Sequence, residues 1–199
     1  MGNVVVNLFI TLDGVYQAPG GPDEDREGDF PFGGWQAPLT GDEGEAILAE
    51  IESMDALLLG RRTYDIFAGY WPNQSTEDPI SAKLNSAPKF VVSRTLQSAD
   101  WDGTTILADV ADVAAVRDRY DEVHLIGSGA LSAALLDAGL VDRIHLWLYP
   151  VTLGTGKRFL TEGLVPKTFA LAEQPRVFSQ GTISLVYAPA GDVQTGDMT

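Results

Sequence analysis

Apolar residues recur along the chain in short runs, each closed by a glycine or a polar turn. Asn3–Thr11 is rich in Val, Leu, Phe and Ile and predicts a first, central strand ended by Leu12-Asp13-Gly14. Ala56-Leu57-Leu58-Leu59 is apolar enough for a second buried strand, which Gly60 stops, and a helical pattern starts at Tyr64. Ahead of it, Ile47, Leu48, Ile51 and Met54 form a helical stripe behind Thr40-Gly41-Asp42-Glu43, which has capping-box spacing. Asp78-Pro79 reads as an N-cap followed by Pro at the first helical position, opening a helix to about Asn85. Further strands are predicted at Lys89–Val92, Thr105–Leu107, Val123–Ile126 and Arg143–Tyr149. Asp109 or Asp112 would cap a helix carrying Val113, Val116 and Tyr120. A helix containing Leu131, Leu135 and Leu136 ends at Gly139. Arg176–Ser179 and Thr182–Tyr187 flank Gln180-Gly181 as a C-terminal hairpin, within two β-rich runs spanning Phe169–Ala188. The pattern is α/β, one domain over residues 1–189, with a small, polar tail at 190–199.

Composition narrows the chemistry. The 199 residues suffice for one domain with a real core, and no apolar run approaches the ~20 residues of a membrane span. The N-terminus lacks a basic region and a cleavage site, so no secretory signal is expected and the expected location is cytoplasmic. The absence of cysteine excludes disulfides, thiolate metal sites and thiol nucleophiles. A net charge of −15 argues against nucleic acid as a partner. Arginines concentrated at a few turns of such a chain would instead favour a small anionic ligand.

The segment Pro19–Gly34 is a long Pro/Gly/acid loop, a length that in a compact domain points to a lid or binding loop. Asp23, Asp25, Glu27 and Gly28 match part of a calcium-loop template, but Gly34 stands where the bidentate Glu belongs and no helix precedes the loop, so no metal site is assigned. Trp35 closes the segment, either over a ligand or as an anchor to the core. Asp13, at the C-terminal end of the first strand, is either a polar residue in a cleft or the hinge of an Asx-turn. His124 and His145 lie inside apolar strands and are expected in the core. Gly154-Thr155-Gly156-Lys157-Arg158 lacks the upstream glycine and the Ser or Thr of a P-loop, and reads as a glycine-rich loop with a basic pair. Trp147 and Tyr149, taken as exposed on a late strand, would suit a dimer interface.

Three strand ends share a character: Gly60-Arg61-Arg62-Thr63, Ser93-Arg94-Thr95 and Gly127-Ser128-Gly129. Ligands of open α/β sheets bind outside the carboxyl ends of the strands, and parallel strands would bring all three turns to one edge. Two of the turns supply guanidinium groups and the third supplies backbone N–H groups at a helix start. That layout matches a pyrophosphate with one further phosphate, as in NADPH. The glycine turn alone falls one residue short of the dinucleotide fingerprint.

Thr-Leu-Asp-Gly at 11–14, Leu-Leu-Leu-Gly-Arg-Arg-Thr-Tyr at 57–64, Val-Val-Ser-Arg-Thr-Leu at 91–96, Ile-Gly-Ser-Gly-Ala-Leu at 126–131 and Tyr-Pro-Val-Thr-Leu-Gly-Thr-Gly at 149–156 resemble the dihydrofolate reductase-like family. More narrowly, they resemble the C-terminal reductase domain of the bifunctional riboflavin-biosynthesis deaminase-reductase and its free-standing bacterial relatives. The resemblance implies a three-layer fold: a mostly parallel mixed sheet flanked by helices, with an antiparallel C-terminal hairpin, often in a homodimer. It implies NADPH as cofactor. By motif match Gly60, Arg61, Arg62 and Thr63 would hold phosphates, Ser93 and Arg94 the 2′-phosphate end, and Gly127, Ser128, Gly129, Ala130 and Leu131 the pyrophosphate. Asp13 and Trp35 would lie near nicotinamide and substrate. The implied activity is hydride transfer to a C=N or C=O group of a small pterin- or pyrimidine-like substrate. The riboflavin-pathway reductase itself and a non-catalytic NADPH sensor are the alternatives. Two departures stand out: Asp42, Glu43 and Glu45 do not match the acidic residue on the first helix of a dihydrofolate reductase, and the acid loop at 19–34 is an addition.

Overall fold

The computed structural model describes residues 1–160 and 164–198. Its centre is a mixed sheet with strands β1 (Asn3–Thr11), β2 (Ala56–Gly60), β3 (Lys89–Val92), β4 (Thr104–Leu107), β5 (Glu122–Ile126), β6 (Arg143–Tyr149), β7 (Thr168–Leu171), β8 (Arg176–Val177) and β9 (Ile183–Gly191). The order is β4-β3-β2-β5-β1-β6-β9-β7, with β8 paired to β9. Strands β1 to β6 are mutually parallel, and β9 turns antiparallel onto β6. The apolar runs have become the buried central strands, since a sheet covered on both faces needs apolar side chains on both. The helices are α1 (Gly44–Ser53), α2 (Arg61–Tyr70), α3 (Pro79–Ser86), α4 (Val113–Arg119) and α5 (Gly129–Asp137).

Alternate residues of one strand serve different layers. Val4, Val6, Leu8 and Ile10 of β1 pack with Leu58, Leu125 and the Leu131, Leu135 and Leu136 face of α5. On the other face Leu57 and Leu59 pack with Tyr64, Leu84 and Trp101. A third cluster joins Val15, Phe30 and Trp35 to Trp147 and Tyr149.

Several local expectations change. The helix after β2 starts at Arg61 rather than Tyr64, so both arginines belong to its first turn. The capping box at Thr40–Glu43 does not form: α1 is capped by Glu43 without a side-chain bond, and Asp42 instead accepts the Ser179 N–H at 2.7 Å. A box does form at Asp109 and Asp112, around a 3-10 turn ahead of α4. Strand β9 runs to Gly191, paired with Thr168, two residues into the segment assigned to the tail. Trp147 and Tyr149 are 2% and 0% exposed, so they are core and offer no interface.

Candidate functional site

The parallel pairings place the ends of β3, β2, β5, β1 and β6 side by side along one edge of the sheet. In that order the edge carries Ser93 and Arg94, then Gly60–Thr63, then Gly127–Leu131, then Asp13, then the 151–158 loop. Four strand spacings make this edge about 19 Å long. All three turns singled out by sequence therefore meet on it.

The two central turns are joined directly. Ser128 Oγ accepts the Gly60 N–H at 2.8 Å and lies 2.6 Å from Thr63 Oγ1. A Cβ on Gly60 would lie 2.7 Å from that same oxygen, so only glycine lets β2 pass this close. Ser128 adopts the left-handed conformation (φ 59°, ψ 62°), a conformation uncommon outside glycine and found at sites that must aim a backbone. The result is two helix N-termini, α2 and α5, opening side by side, with Arg61 and Arg62 in the first turn of α2. The aligned dipoles and the first-turn N–H groups, apart from the Gly129 N–H that bonds Tyr16, suit such a pair of termini to a pyrophosphate. The residues present thus fit the phosphates of a dinucleotide. Arg94, 82% exposed at its side chain and bonded only at the surface to Asp109 (3.1 Å), is the accessible cation at the β3 end.

The substrate side of the edge differs from the sequence expectation. Asp13 accepts from Thr11 Oγ1 (2.6 Å), the Gly154 N–H (2.8 Å) and the Leu153 N–H (3.2 Å), and Arg158 lies at 3.4 Å. The Thr11 hydroxyl, with the two N–H groups and Arg158, holds the Asp13 carboxyl well below the usual carboxylate range against a smaller effect of burial. A proton donor needs the opposite shift. Asp13 ties the 151–158 loop to the end of β1. Trp35 is 8% exposed, donates Nε1–H to Gln17 O at 2.8 Å and stands edge-on to Tyr149. It anchors the acid loop to the core.

That loop is packed down. Gln17 Nε2 donates to the carbonyls of Asp25 (3.1 Å) and Glu27 (3.0 Å), while its Oε1 accepts the Lys157 N–H at 2.9 Å. Asp25, 7% exposed, accepts from Lys157 Nζ (2.6 Å) and Arg62 Nη2 (3.1 Å), and Lys157 also reaches Glu27 at 2.7 Å. Burial would raise the Asp25 pKa, but the Lys157 ammonium, the Glu27 N–H and Arg62 outweigh it and lower it. The carboxylates that matched the calcium template turn to cations of the chain, Asp23 to Arg26, and Asp25 and Glu27 to the shared pair Arg62 and Lys157. Among the described residues no group of acids and histidines is arranged to hold a metal.

Sequence reasoning missed three residues. Tyr16 puts its hydroxyl at the Gly129 N–H, the first amide of α5, and burial raises its pKa. Lys157 was seen only as part of a failed P-loop. Glu43, fully buried, accepts from the Gly41 N–H (2.8 Å) and the Tyr149 hydroxyl (3.1 Å) at the N-terminus of α1. Its place in the Thr40–Glu43 stretch suggests only a capping role, and an acid beginning a helix ordinarily faces water, so nothing local marks its burial. The two histidines are buried, as expected, within a polar row: His145 lies 3.3 Å from Glu50 and 2.7 Å from Ser184, and His124 lies 3.2 Å from Asn7. With Glu122, Arg143 and Glu173 they line a cavity of about 170 Å³. Their neighbours Glu122 and Arg143 begin their strands, which puts this row toward the opposite edge from the three turns.

The strand order, the antiparallel C-terminal strands and the paired helix N-termini define a dihydrofolate reductase-like α/β protein. The RibD C-terminal domain model matches residues 3–182, and the chain belongs to that family. Among solved structures it is similar to a putative riboflavin biosynthesis protein from Shewanella sp. PV-4, with TM-score 0.72, 19% identity, and coverage of 94% of this chain and 99% of that one. It is also similar to dihydrofolate reductase from Enterococcus faecalis complexed with NADP(H) and RAB-propyl, with TM-score 0.61, 15% identity, and coverage of 94% and 96%. The uncharacterized protein YyaP of Bacillus subtilis is 25% identical over 193 residues, 92% of this chain and 93% of its own. Family membership supports a reductase of the riboflavin-pathway or dihydrofolate reductase type.

Proposed function

We propose that this chain is an NADPH-dependent reductase that delivers a hydride to the carbon of a C=N or C=O group in a small pterin- or pyrimidine-like substrate. The observation that carries the reading is the joined pair of helix N-termini, locked by Ser128 between Gly60 and Thr63. Gly60–Thr63 and Gly127–Leu131 would hold the phosphates, and Ser93 with Arg94 the 2′-phosphate. Bound NADPH supplies the hydride. The chain's own part is to align the reactants and exclude water, which can account for most of the rate enhancement of such a transfer. Asp13 stays ionised and fixes the loop beside the substrate, so the accompanying proton comes from water in this reading.

The test is NADPH and NADH binding followed by nicotinamide fluorescence. Wild type should prefer NADPH, and Arg94→Ala should lose about tenfold in NADPH affinity with NADH little changed, about the 1.4 kcal/mol of one exposed charge-assisted contact. Absence of binding by either cofactor would remove the assignment.

The same reading takes the protein as a homodimer, joined on a face other than the one first expected. Ile144, Leu146 and Leu148 of β6 oppose Tyr187, Leu185 and Ile183 of β9. With Phe159, Leu160 and Phe169, residues of this face line an apolar depression of about 280 Å³. Apolar surface of this kind on a sheet suits self-association.

A further inference from the structure

We propose that the acid loop makes the site edge around Lys157 selective for an uncharged substrate without a phosphate group, with Asp25 and Glu27 as the specificity-determining residues. The inference rests on the reductase reading above and names its substrate class. It starts from a census of cations along the site edge. Arg61 is held by both oxygens of Asp65, each at 2.9 Å. Arg94 pairs with Asp109, and Arg158 with Asp13. Arg62, in the first turn of α2, and Lys157, in the loop after β6, share Asp25 and Glu27. Among the described residues, the cations on the substrate side are thus matched by carboxylates of the chain itself.

The neutralising groups are built in. Asp25 is buried, and its backbone is fastened through Gln17, whose amide also binds the Lys157 backbone. Cations and carboxylates therefore sit on one scaffold, and the loop cannot release Lys157 without breaking the Gln17 bonds as well. A phosphate dianion entering here would displace Asp25 from Lys157 and then lie against two carboxylates, one of them buried, where like charges repel. A neutral heterocycle meets no such conflict. The riboflavin-pathway substrate carries a ribose phosphate, so the loop at 19–34 would separate this chain from that activity; of the turns proposed for the cofactor it touches Arg62.

The full-length chain should be titrated calorimetrically with ribose 5-phosphate, with ribose as control, for wild type, Asp25→Asn with Glu27→Gln, Glu27→Gln alone, and Lys157→Met. Wild type is expected to show no ribose 5-phosphate binding that depends on Lys157. The double variant, with Lys157 and Arg62 freed, should bind ribose 5-phosphate at least tenfold more tightly than wild type and ribose no better. Glu27→Gln alone, at a largely exposed site that folding tolerates, should show a smaller gain in the same direction. Micromolar binding of ribose 5-phosphate by wild type that Lys157→Met abolishes would overturn the proposal, as would folded Asn/Gln variants that gain nothing. NADPH binding, measured separately by fluorescence, reports on the cofactor reading alone, so the two can fail independently.

Discussion

Tyr149 shows how one residue can change role between sequence and structure. In sequence it ends an apolar strand and invites a surface role. In the fold it is fully buried, its hydroxyl receives the Gln36 amide at 2.7 Å and donates to Glu43, and burial pushes its pKa up. Tyr149→Phe leaves a buried carboxylate with one donor fewer, and should cost about 1–3 kcal/mol of stability in urea unfolding. A loss near zero would mean that Glu43 finds another partner. His124 yields a prediction in pH. Burial lowers its pKa below the ordinary 6.5, against the raising effect of Glu50 and Glu122 and with Arg143 and His145 adding to the lowering. The unfolded chain then binds the proton more readily than the folded one. The contribution of neutral His124 is therefore complete above about pH 6.5 and is lost as the pH falls below it. Stability measured from pH 7 to pH 5 should fall more steeply for wild type than for His124→Gln, and parallel slopes would discount this histidine.

At the scale of elements, the strand-to-helix turn after β5 is the feature on which cofactor and fold depend together. A Cβ on Gly129 would lie 2.6 Å from the Tyr16 hydroxyl and 2.7 Å from its ring, so the first turn of α5 and Tyr16 fit only without a side chain there. Gly129→Ala should displace Tyr16 or tilt the helix start, costing about 1–3 kcal/mol of stability as overpacking does. NADPH affinity should fall with it, because the N–H groups of α5 are re-aimed. A variant of wild-type stability and affinity would show that the turn relaxes freely. The acid loop teaches the converse. Its composition reads as a solvated lid, yet Phe30, Trp35 and Asp25 are buried and Gln17 fastens it from within. Loop residues far apart in sequence supplied the bonds, and no local pattern contains them.

Across the whole molecule, the sheet divides its duties by edge and by face. The carboxyl edge carries the turns proposed to hold the cofactor, and the row containing Glu50, His124 and His145 lies toward the other. The face of β6 and β9 around Leu146 is the apolar surface proposed to meet a second copy. On that proposal wild type should show the dimer mass in light scattering and Leu146→Glu the monomer mass, with far-UV circular dichroism unchanged. A variant that remains dimeric would place the interface elsewhere. The net charge of −15 belongs to the whole chain, while the cations of the site edge are each paired with carboxylates of the chain itself.

The sequence by itself determined the elements and their order, because apolar period, glycine stops and Pro or Asp at helix starts act over a few residues. It also marked the turns proposed to hold the cofactor, since Gly60–Thr63, Ser93-Arg94 and Gly127–Leu131 each stand out locally. Only the tertiary structure decided which charges remain available. The pairing of Asp25 with Lys157 and Arg62, the tie of Asp13 to Gly154 and the bond of Glu43 to Tyr149 join residues more than thirty positions apart. Electrostatics depends on distance in space and on loss of solvent, and neither is written in the order of the chain.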